Sequence, residues 1–149
     1  MPTAGKLAAA VLFALIFWSA STQALQYYIA QDEALPLWFH PVNTGLAIVL
    51  GWIIAGSRAG RAGWMGAISY GLTAGISIAV ACLFAQSFVR MIQLSLRRYY
   101  DGPGEAVVGV FGLMYDNALI VGRADVVLTI LLGSILAGLA IEWTGRHFS

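Results

Sequence analysis

The stretch "AGWMGAISYGLTAGISIAVACLFAQSFV", residues 62–89, contains no charged residue. No helix-breaking residue follows it before Tyr99. A continuous helix from Trp64 to Arg98 would be roughly 52 Å long, well beyond the ~30 Å hydrocarbon core of a bilayer. The stretch therefore predicts a membrane-spanning helix at about 63–98, whose last ten residues project from the bilayer, tilt steeply or bend.

The composition of the whole chain supports a membrane environment. Of its 149 residues, 60% are hydrophobic and only 10% are charged, and the mean hydropathy is +0.81. Soluble domains carry about 25% charged residues, so a bilayer must be the solvent for much of this surface. The net charge of +1, without a basic patch, argues against nucleic acid as a partner. The single cysteine, Cys82, excludes an internal disulfide, a CxxC pair and a cysteine zinc site.

The remaining apolar runs predict three more spans. We expect an all-α integral membrane protein in which residues 1–149 form one polytopic domain, with spans at about 7–29, 41–56, 63–98 and 125–144. The first run follows Lys6 and ends in small residues, so it also resembles a secretory signal peptide. We favour an uncleaved helix there, because the rest of the chain is also membranous.

The segment at about 104–122 is apolar on average, yet it carries two acids and makes a poor span. Glu105, Gly109, Gly112 and Asp116 fall at i, i+4, i+7 and i+11, which places them on one narrow helical face. The spacing predicts an amphipathic helix at the membrane interface.

The distribution of basic residues bears on orientation. Basic residues are enriched in cytoplasmic loops. With both termini inside, the cytoplasmic face would carry Lys6, Arg58, Arg61 and Arg146, and the opposite face would carry Arg90, Arg97, Arg98 and Arg123. The numbers are equal, but the short loop around Arg58 and Arg61 is the better indicator, and it favours cytoplasmic termini.

Small residues recur along two of the predicted spans. They are Gly63, Ala67, Gly71, Gly75 and Ala79 in the third span, and Gly133 and Ala137, beside Ser134 and Gly138, in the last. Such stripes let helices approach closely where packing drives association. Packing within one chain and self-association both fit the pattern.

The centre of the chain predicts a helical hairpin. Gln86, Arg90, Gln93 and Arg97 share one face of the third helix, and the chain reverses at Asp101, Gly102, Pro103 and Gly104. An antiparallel hairpin would place Arg97 or Arg98 opposite Glu105, and Asp116 near Arg90 or Gln86. In the alternative, the arginines hold lipid phosphates while the acids face water.

Patterns typical of catalysis are absent from the sequence. It contains no Ser-His-acid set, no HExxH motif and no glycine-rich phosphate loop after a strand. None of the predicted spans carries a charge near its middle, which argues against an ion-coupled pump. We therefore predict a protein that is not an enzyme and holds no cofactor or metal. A passive pore formed by several copies remains open.

Several motifs together resemble one family. They are "MPTAGKL", the Gly51-Trp52 and Ser57-Arg58-Ala59-Gly60 pairings, "GLTAG" at 71–75 and, most specifically, "RRYYDGPGEAVV" at 97–108. Together they are similar to the TrgA family of small bacterial inner-membrane proteins, over nearly the whole chain. The resemblance implies a link to tellurite resistance, but it supplies no active site. The family's further acids in the interfacial helix are replaced here by Gly112 and Leu113.

Three classes of function follow from these observations. The first is a TrgA-like scaffold or accessory subunit, with lipids, other membrane proteins or its own copies as partners. The second is an oligomeric channel or transporter, with a path lined by Ser69, Thr73 and Ser77. The third, a membrane enzyme, needs a cofactor that the sequence has no means to hold. An oxyanion could meet Arg90, Arg97 or Arg98, although no nest of donors surrounds them. With one thiol and no metal site, direct reduction of tellurite is not expected.

Overall fold

The computed structural model describes residues 4–31, 35–97 and 99–148. They form five α-helices and no strand: α1 Ala4–Ile29, α2 Phe39–Leu50, α3 Gly63–Leu96, α4 Pro103–Val121 and α5 Ala124–His147. Five helical segments are long and apolar enough to cross a membrane, when α2 and the turns after it are counted as the segment Phe39–Arg58. The all-helical architecture is confirmed, and the length and composition of these five segments are compatible with a multi-pass membrane protein.

The second helical segment is less regular than its sequence suggests. It begins at Phe39, so that Pro41 lies in the first turn, where a missing N–H leaves no hydrogen bond unmade. After Leu50 it widens into a π-helical turn at Gly51–Ala55 and then tightens into a 3₁₀ turn at Gly56–Arg58. A side chain at Gly51 would lie 3.1 Å from Phe13, and one at Gly56 would lie 2.8 Å from Lys6 Cα. These glycines therefore let the second helical segment pack closely against α1.

The small-residue stripes lie where α3 packs against α5. Ala67, Gly71 and Gly75 are buried in this contact. Gly71 lies against the Ser134 carbonyl, and Gly138 lies against the Ala67 carbonyl. Ala79 is half-buried nearby, Gly133 contacts Ile16 of α1, and Ala137 is in the core. The stripes thus bring helices of the same chain together.

Large side chains from three helices fill the rest of the core. Phe13 and Phe17 come from α1, Tyr70 and Ile78 from α3, and Ile141 from α5. The first helix is therefore packed into the core of the bundle.

The start of α1 meets the end of α5 at one end of the bundle, and the end of α1 meets the start of α5 at the other. At one end, Gly5 at the start of α1 lies against Ala59 and Gly145 near the end of α5. At the other end, the Tyr27 hydroxyl near the end of α1 donates a 2.6 Å hydrogen bond to Asp125 at the start of α5. Helices α1 and α5 therefore run antiparallel over the same length.

Helix α3 has two neighbours in succession. Its first two-thirds pack on α5, and its last turns pack on α4 in an antiparallel hairpin. Met91 of α3 is buried with Ala106 and Val110 of α4, beneath Tyr100. Of the five segments, α4 buries the smallest share of its length, because it contacts little beyond the tail of α3 and the end of α1.

Candidate functional site

A fully buried carboxylate closes one end of the bundle. Glu142 of α5 is 0% exposed. Its Oε2 accepts hydrogen bonds from Gly60 N at 2.9 Å and from the Tyr70 hydroxyl at 3.3 Å. Its Oε1 accepts from Gly63 N at 3.0 Å and from Arg146 Nε at 3.0 Å. We call Glu142 and these four donors the carboxylate clasp.

The loop between α2 and α3 is shaped to reach this carboxylate. Gly60 and Gly63 have φ values of +76° and +71°, a left-handed conformation that favours glycine. A Cβ at Gly60 would also lie 2.8 Å from the carbonyl of Gly145. On the outer side, the Arg146 guanidinium lies 5.4 Å from the centre of the Trp64 ring, a cation–π distance. The clasp therefore fastens the start of α3 to the end of α5.

The sequence contains one local signal for the clasp. Glu142 lies at the end of the apolar run that predicts the last span. It precedes Arg146 by four residues, a spacing that brings acid and base together on a helix. The two glycines of the preceding loop could not be linked to it from sequence, because they are 79 and 82 residues away.

A second polar structure lies near the opposite end of the bundle. Asn43 Nδ2 donates to Ser21 Oγ at 3.0 Å, and Gln86 Nε2 donates to Asn43 Oδ1 at 2.9 Å. Nearby, the Tyr28 hydroxyl donates to Asn117 Oδ1 at 2.9 Å, and Asn117 Nδ2 donates to Ser87 Oγ at 3.0 Å. We call these six side chains the amide network. It joins α1, α2, α3 and α4, and it satisfies groups that would be costly to bury alone.

Two cavities adjoin the amide network. An apolar chamber of about 90 Å³ is lined by residues of all five helices, and a polar pocket of about 230 Å³ opens at the bundle end. Tyr28, Phe39 and Gln86 line both cavities. The chamber is otherwise lined by residues such as Phe17, Ala24, Cys82, Val121, Val126 and Ile130. The pocket is otherwise lined by Leu35, Pro36, Trp38, Arg90, Gln93 and Asn117.

The polar stripe of α3 faces this pocket instead of the acids of α4. Gln86, Arg90 and Gln93 line the pocket, whereas Arg97 is exposed one turn beyond. Among the described residues, Arg97 and Glu105 form no ion pair. Glu105 instead accepts a 2.9 Å hydrogen bond from Asp101 N, within the turn. Arg98 lies outside the described residues.

The face that α4 turns toward α3 differs from the expected one by a single residue. The inward face carries Ala106, Val110, Leu113 and Asn117, while Glu105, Gly112 and Asp116 are exposed. One residue is 100° of helix rotation. The apolar and amide side chains occupy the buried face because burying a carboxylate has a higher desolvation cost. Gly102 and Pro103 begin α4 as expected, with proline in the first turn.

The hydroxyl residues proposed for a channel lie elsewhere. Ser69 and Thr73 are exposed on the outer side of α3, and Ser77 is half-buried. The Thr73 hydroxyl donates to the Ser69 carbonyl at 2.8 Å, which is the usual partner for a hydroxyl within a membrane helix. Within the part of the chain that the structure describes, no group of three His, Cys, Asp or Glu side chains could hold a metal ion.

The register of the hairpin can be tested with neighbouring residues. Replacing Asn117 with alanine removes the hydrogen bonds that its amide forms with the Tyr28 and Ser87 hydroxyls, and should cost about 1–3 kcal/mol of unfolding free energy. Asp116→Ala removes an exposed side chain and should change it by less than about 0.5 kcal/mol. Unfolding of both variants in detergent, followed by circular dichroism, measures the difference. If Asp116→Ala lowered the unfolding free energy more than Asn117→Ala, the acids of α4 would face α3, as the sequence predicts.

Comparison of the chain with protein-family models, curated proteins and solved structures found no match in any of the three. The resemblance to the TrgA family therefore rests on the sequence motifs alone.

Proposed function

We propose that the chain is a four-span protein of the bacterial inner membrane, in which α4 lies at the membrane surface. The contact of Gly5 with Gly145 supports an even number of crossings, because it places the start of α1 and the end of α5 at the same end of the bundle. Helix α4 begins and ends on the opposite side of the bundle, since it connects the tail of α3 to the start of α5.

The surface of α4 supports an interfacial position. One side packs on α3, a second side exposes large apolar residues, and the exposed acids Glu105 and Asp116 lie on a strip between them. The exposed apolar residues are Val107, Val108, Phe111, Tyr115 and Leu119. A helix with apolar and polar faces of this kind lies in the plane of the interface, with its apolar side toward the acyl chains.

The basic residues support an orientation with both termini in the cytoplasm. The loop that carries Arg58 and Arg61 lies at the same end of the bundle as Lys6 and Arg146. Each end carries basic residues, but Arg58 and Arg61 lie in a short loop, where basic residues favour the cytoplasmic side. Cysteines introduced at Ser57 and Gly112 should therefore react with an impermeant thiol reagent from opposite sides of the membrane. Labelling of both from the same side would contradict the four-span topology.

The biochemical role that we propose is a non-catalytic scaffold or accessory subunit that supports tolerance of tellurite and related oxyanions, as the TrgA resemblance implies. The carboxylate clasp supports the non-catalytic part of this role, and the role in oxyanion tolerance rests on the resemblance. The Glu142 carboxylate accepts hydrogen bonds from Gly60 N, Gly63 N and Arg146 Nε, and it shares the Tyr70 hydroxyl proton with the Gly138 carbonyl. A buried acid bound in this way to three parts of the chain has a structural role.

Deletion of the gene tests the proposed role. We expect the deletion strain to tolerate several-fold less tellurite in growth assays, and the wild-type gene to restore tolerance. Purification of the tagged chain in mild detergent should then recover a second membrane protein. Unchanged tolerance in the deletion strain would overturn the role in oxyanion stress. A closed ring of identical copies would favour the channel instead.

A further inference from the structure

The two ends of the bundle differ in their balance of charge. The end that contains the carboxylate clasp carries Lys6, Arg58, Arg61 and Arg146. Among the described residues, the only acid at this end is Glu142, which is fully buried and paired with Arg146. The other described acids lie toward the opposite end: Asp101, Glu105, Asp116 and Asp125. The clasp end therefore presents positive charge to its surroundings.

Arg58 and Arg61 form the unpaired part of this charge. A 3.3 Å hydrogen bond from Arg61 N to the Arg58 carbonyl closes a turn, so the two residues lie close together. Both side chains are exposed. Within the part of the chain that the structure describes, neither guanidinium forms a hydrogen bond or an ion pair. We propose that this pair of arginines binds the phosphate of an anionic phospholipid.

The backbone beside the two arginines is held in place by the clasp. Gly60 N and Gly63 N donate to the Glu142 carboxylate at 2.9 and 3.0 Å, one residue before Arg61 and two residues after it. The turn is thus anchored to α5 while its guanidinium groups remain exposed. A binding group on a fixed backbone loses less conformational freedom when its ligand arrives. The charge of Glu142 does not cancel that of the turn, because Arg146 Nε lies 3.0 Å from its carboxylate.

Two tryptophans indicate that this end lies at the headgroup level of the membrane. Trp64 follows Arg61 by three residues, and Trp143 is the neighbour of Glu142 in sequence. Their side chains are 51% and 50% exposed, and tryptophan is enriched at membrane–water interfaces. The arginine turn therefore lies at the level of phospholipid phosphates. This inference rests on the membrane-spanning arrangement proposed above, and it depends neither on the role in oxyanion tolerance nor on the side of the membrane.

The phosphodiester of a phospholipid matches the turn in shape and in charge. A guanidinium presents its N–H groups in a planar fork that fits phosphate oxygens. Each basic residue near an anionic membrane surface strengthens binding about fivefold. The headgroup of phosphatidylglycerol carries a net negative charge, whereas that of phosphatidylcholine is neutral overall. We therefore expect the turn to select phosphatidylglycerol.

Native mass spectrometry of the full-length chain in mild detergent measures this preference. The protein is titrated with dioleoyl phosphatidylglycerol or with dioleoyl phosphatidylcholine, which has the same acyl chains. Arg58→Gln and Arg61→Gln should each weaken phosphatidylglycerol binding about fivefold, and the double variant about 25-fold. Binding of phosphatidylcholine should not change. Arg97→Gln is the matched control, because it removes the same charge from an exposed position at the opposite end.

Three results would overturn the proposal. The first is equal binding of the two lipids by the wild type. The second is an equal loss from Arg97→Gln and Arg61→Gln, in variants with unchanged unfolding temperatures, because it would show an effect of net charge alone. The third is displacement of the lipid by inorganic phosphate at millimolar concentration but not by chloride at the same ionic strength, which would show a site for free anions. Because the deletion strain tests oxyanion tolerance separately, a failure of either proposal leaves the other intact.

Discussion

Replacing Glu142 with alanine is expected to lower the free energy of unfolding by about 3–5 kcal/mol, the range for removing one partner of a buried charged pair. The loss comes chiefly from Gly60 N and Gly63 N, which would be left without an acceptor in the interior. The Tyr70 hydroxyl would keep its hydrogen bond to the Gly138 carbonyl. The Arg146 side chain is 42% exposed and can turn to water, so its own contribution is smaller.

Thermal unfolding of the purified protein in detergent, followed by circular dichroism, measures this effect. Glu142→Gln should also destabilise, because its amide group would direct N–H bonds at groups that are themselves donors. Glu105→Ala is the matched control: this exposed acid accepts one hydrogen bond within a turn. If Glu142→Ala unfolded at the same temperature as Glu105→Ala, the clasp would not contribute to stability.

Two substitutions of glycine by alanine are expected to have opposite effects. Gly138→Ala introduces a methyl group against the backbone carbonyl of Ala67. Backbone atoms cannot move aside at a low energetic cost. The substitution should therefore lower the free energy of unfolding by about 3 kcal/mol, the upper end of the range for overpacking a core. The shift would also disturb the 3.0 Å hydrogen bond from the Tyr70 hydroxyl to the Gly138 carbonyl.

Gly112→Ala is the control with the same chemistry. No atom lies within 4 Å of the position where its Cβ would be, and glycine in a helix interior is less stable than alanine by about 0.5–1 kcal/mol. This variant should therefore unfold at a higher temperature than the wild type, while Gly138→Ala should unfold at a lower one. Equal shifts of the same sign would contradict the close contact between α3 and α5.

The helices and their small-residue stripes were predictable because they depend on local pattern. The uncharged run at 62–89 predicts a long helix, and a four-residue spacing of small residues predicts close packing. Helix α3 begins at Gly63, as expected, and ends at Leu96 in the structure. It extends α5 to His147, so that Arg146 and His147 lie in its last turn, where positive charge suits the helix dipole.

The inward face of α4 was not predictable in the same way. Periodicity predicts a contact face with Glu105 and Asp116, whereas the structure turns the face with Ala106 and Asn117 inward. The choice between them depends on whether the neighbouring helix offers a partner for a carboxylate or for an amide. Ser87 offers a partner for an amide. The clasp was hidden for a related reason, since it needs two left-handed glycines and an acid that are distant along the chain.

The distance between Glu142 and its glycine donors also has a consequence for the order of assembly. The acceptor is synthesised 79 to 82 residues after the two backbone groups that it binds. Until α5 has been synthesised, the N–H groups of Gly60 and Gly63 therefore lack this acceptor. We expect the first three helices to associate before α5 is present. The hydrogen bonds from Gly60 and Gly63 to Glu142 then form when α5 joins the bundle. A chain that lacks α5 should accordingly be cleaved by proteases at residues 59–63, and the complete chain should be protected there.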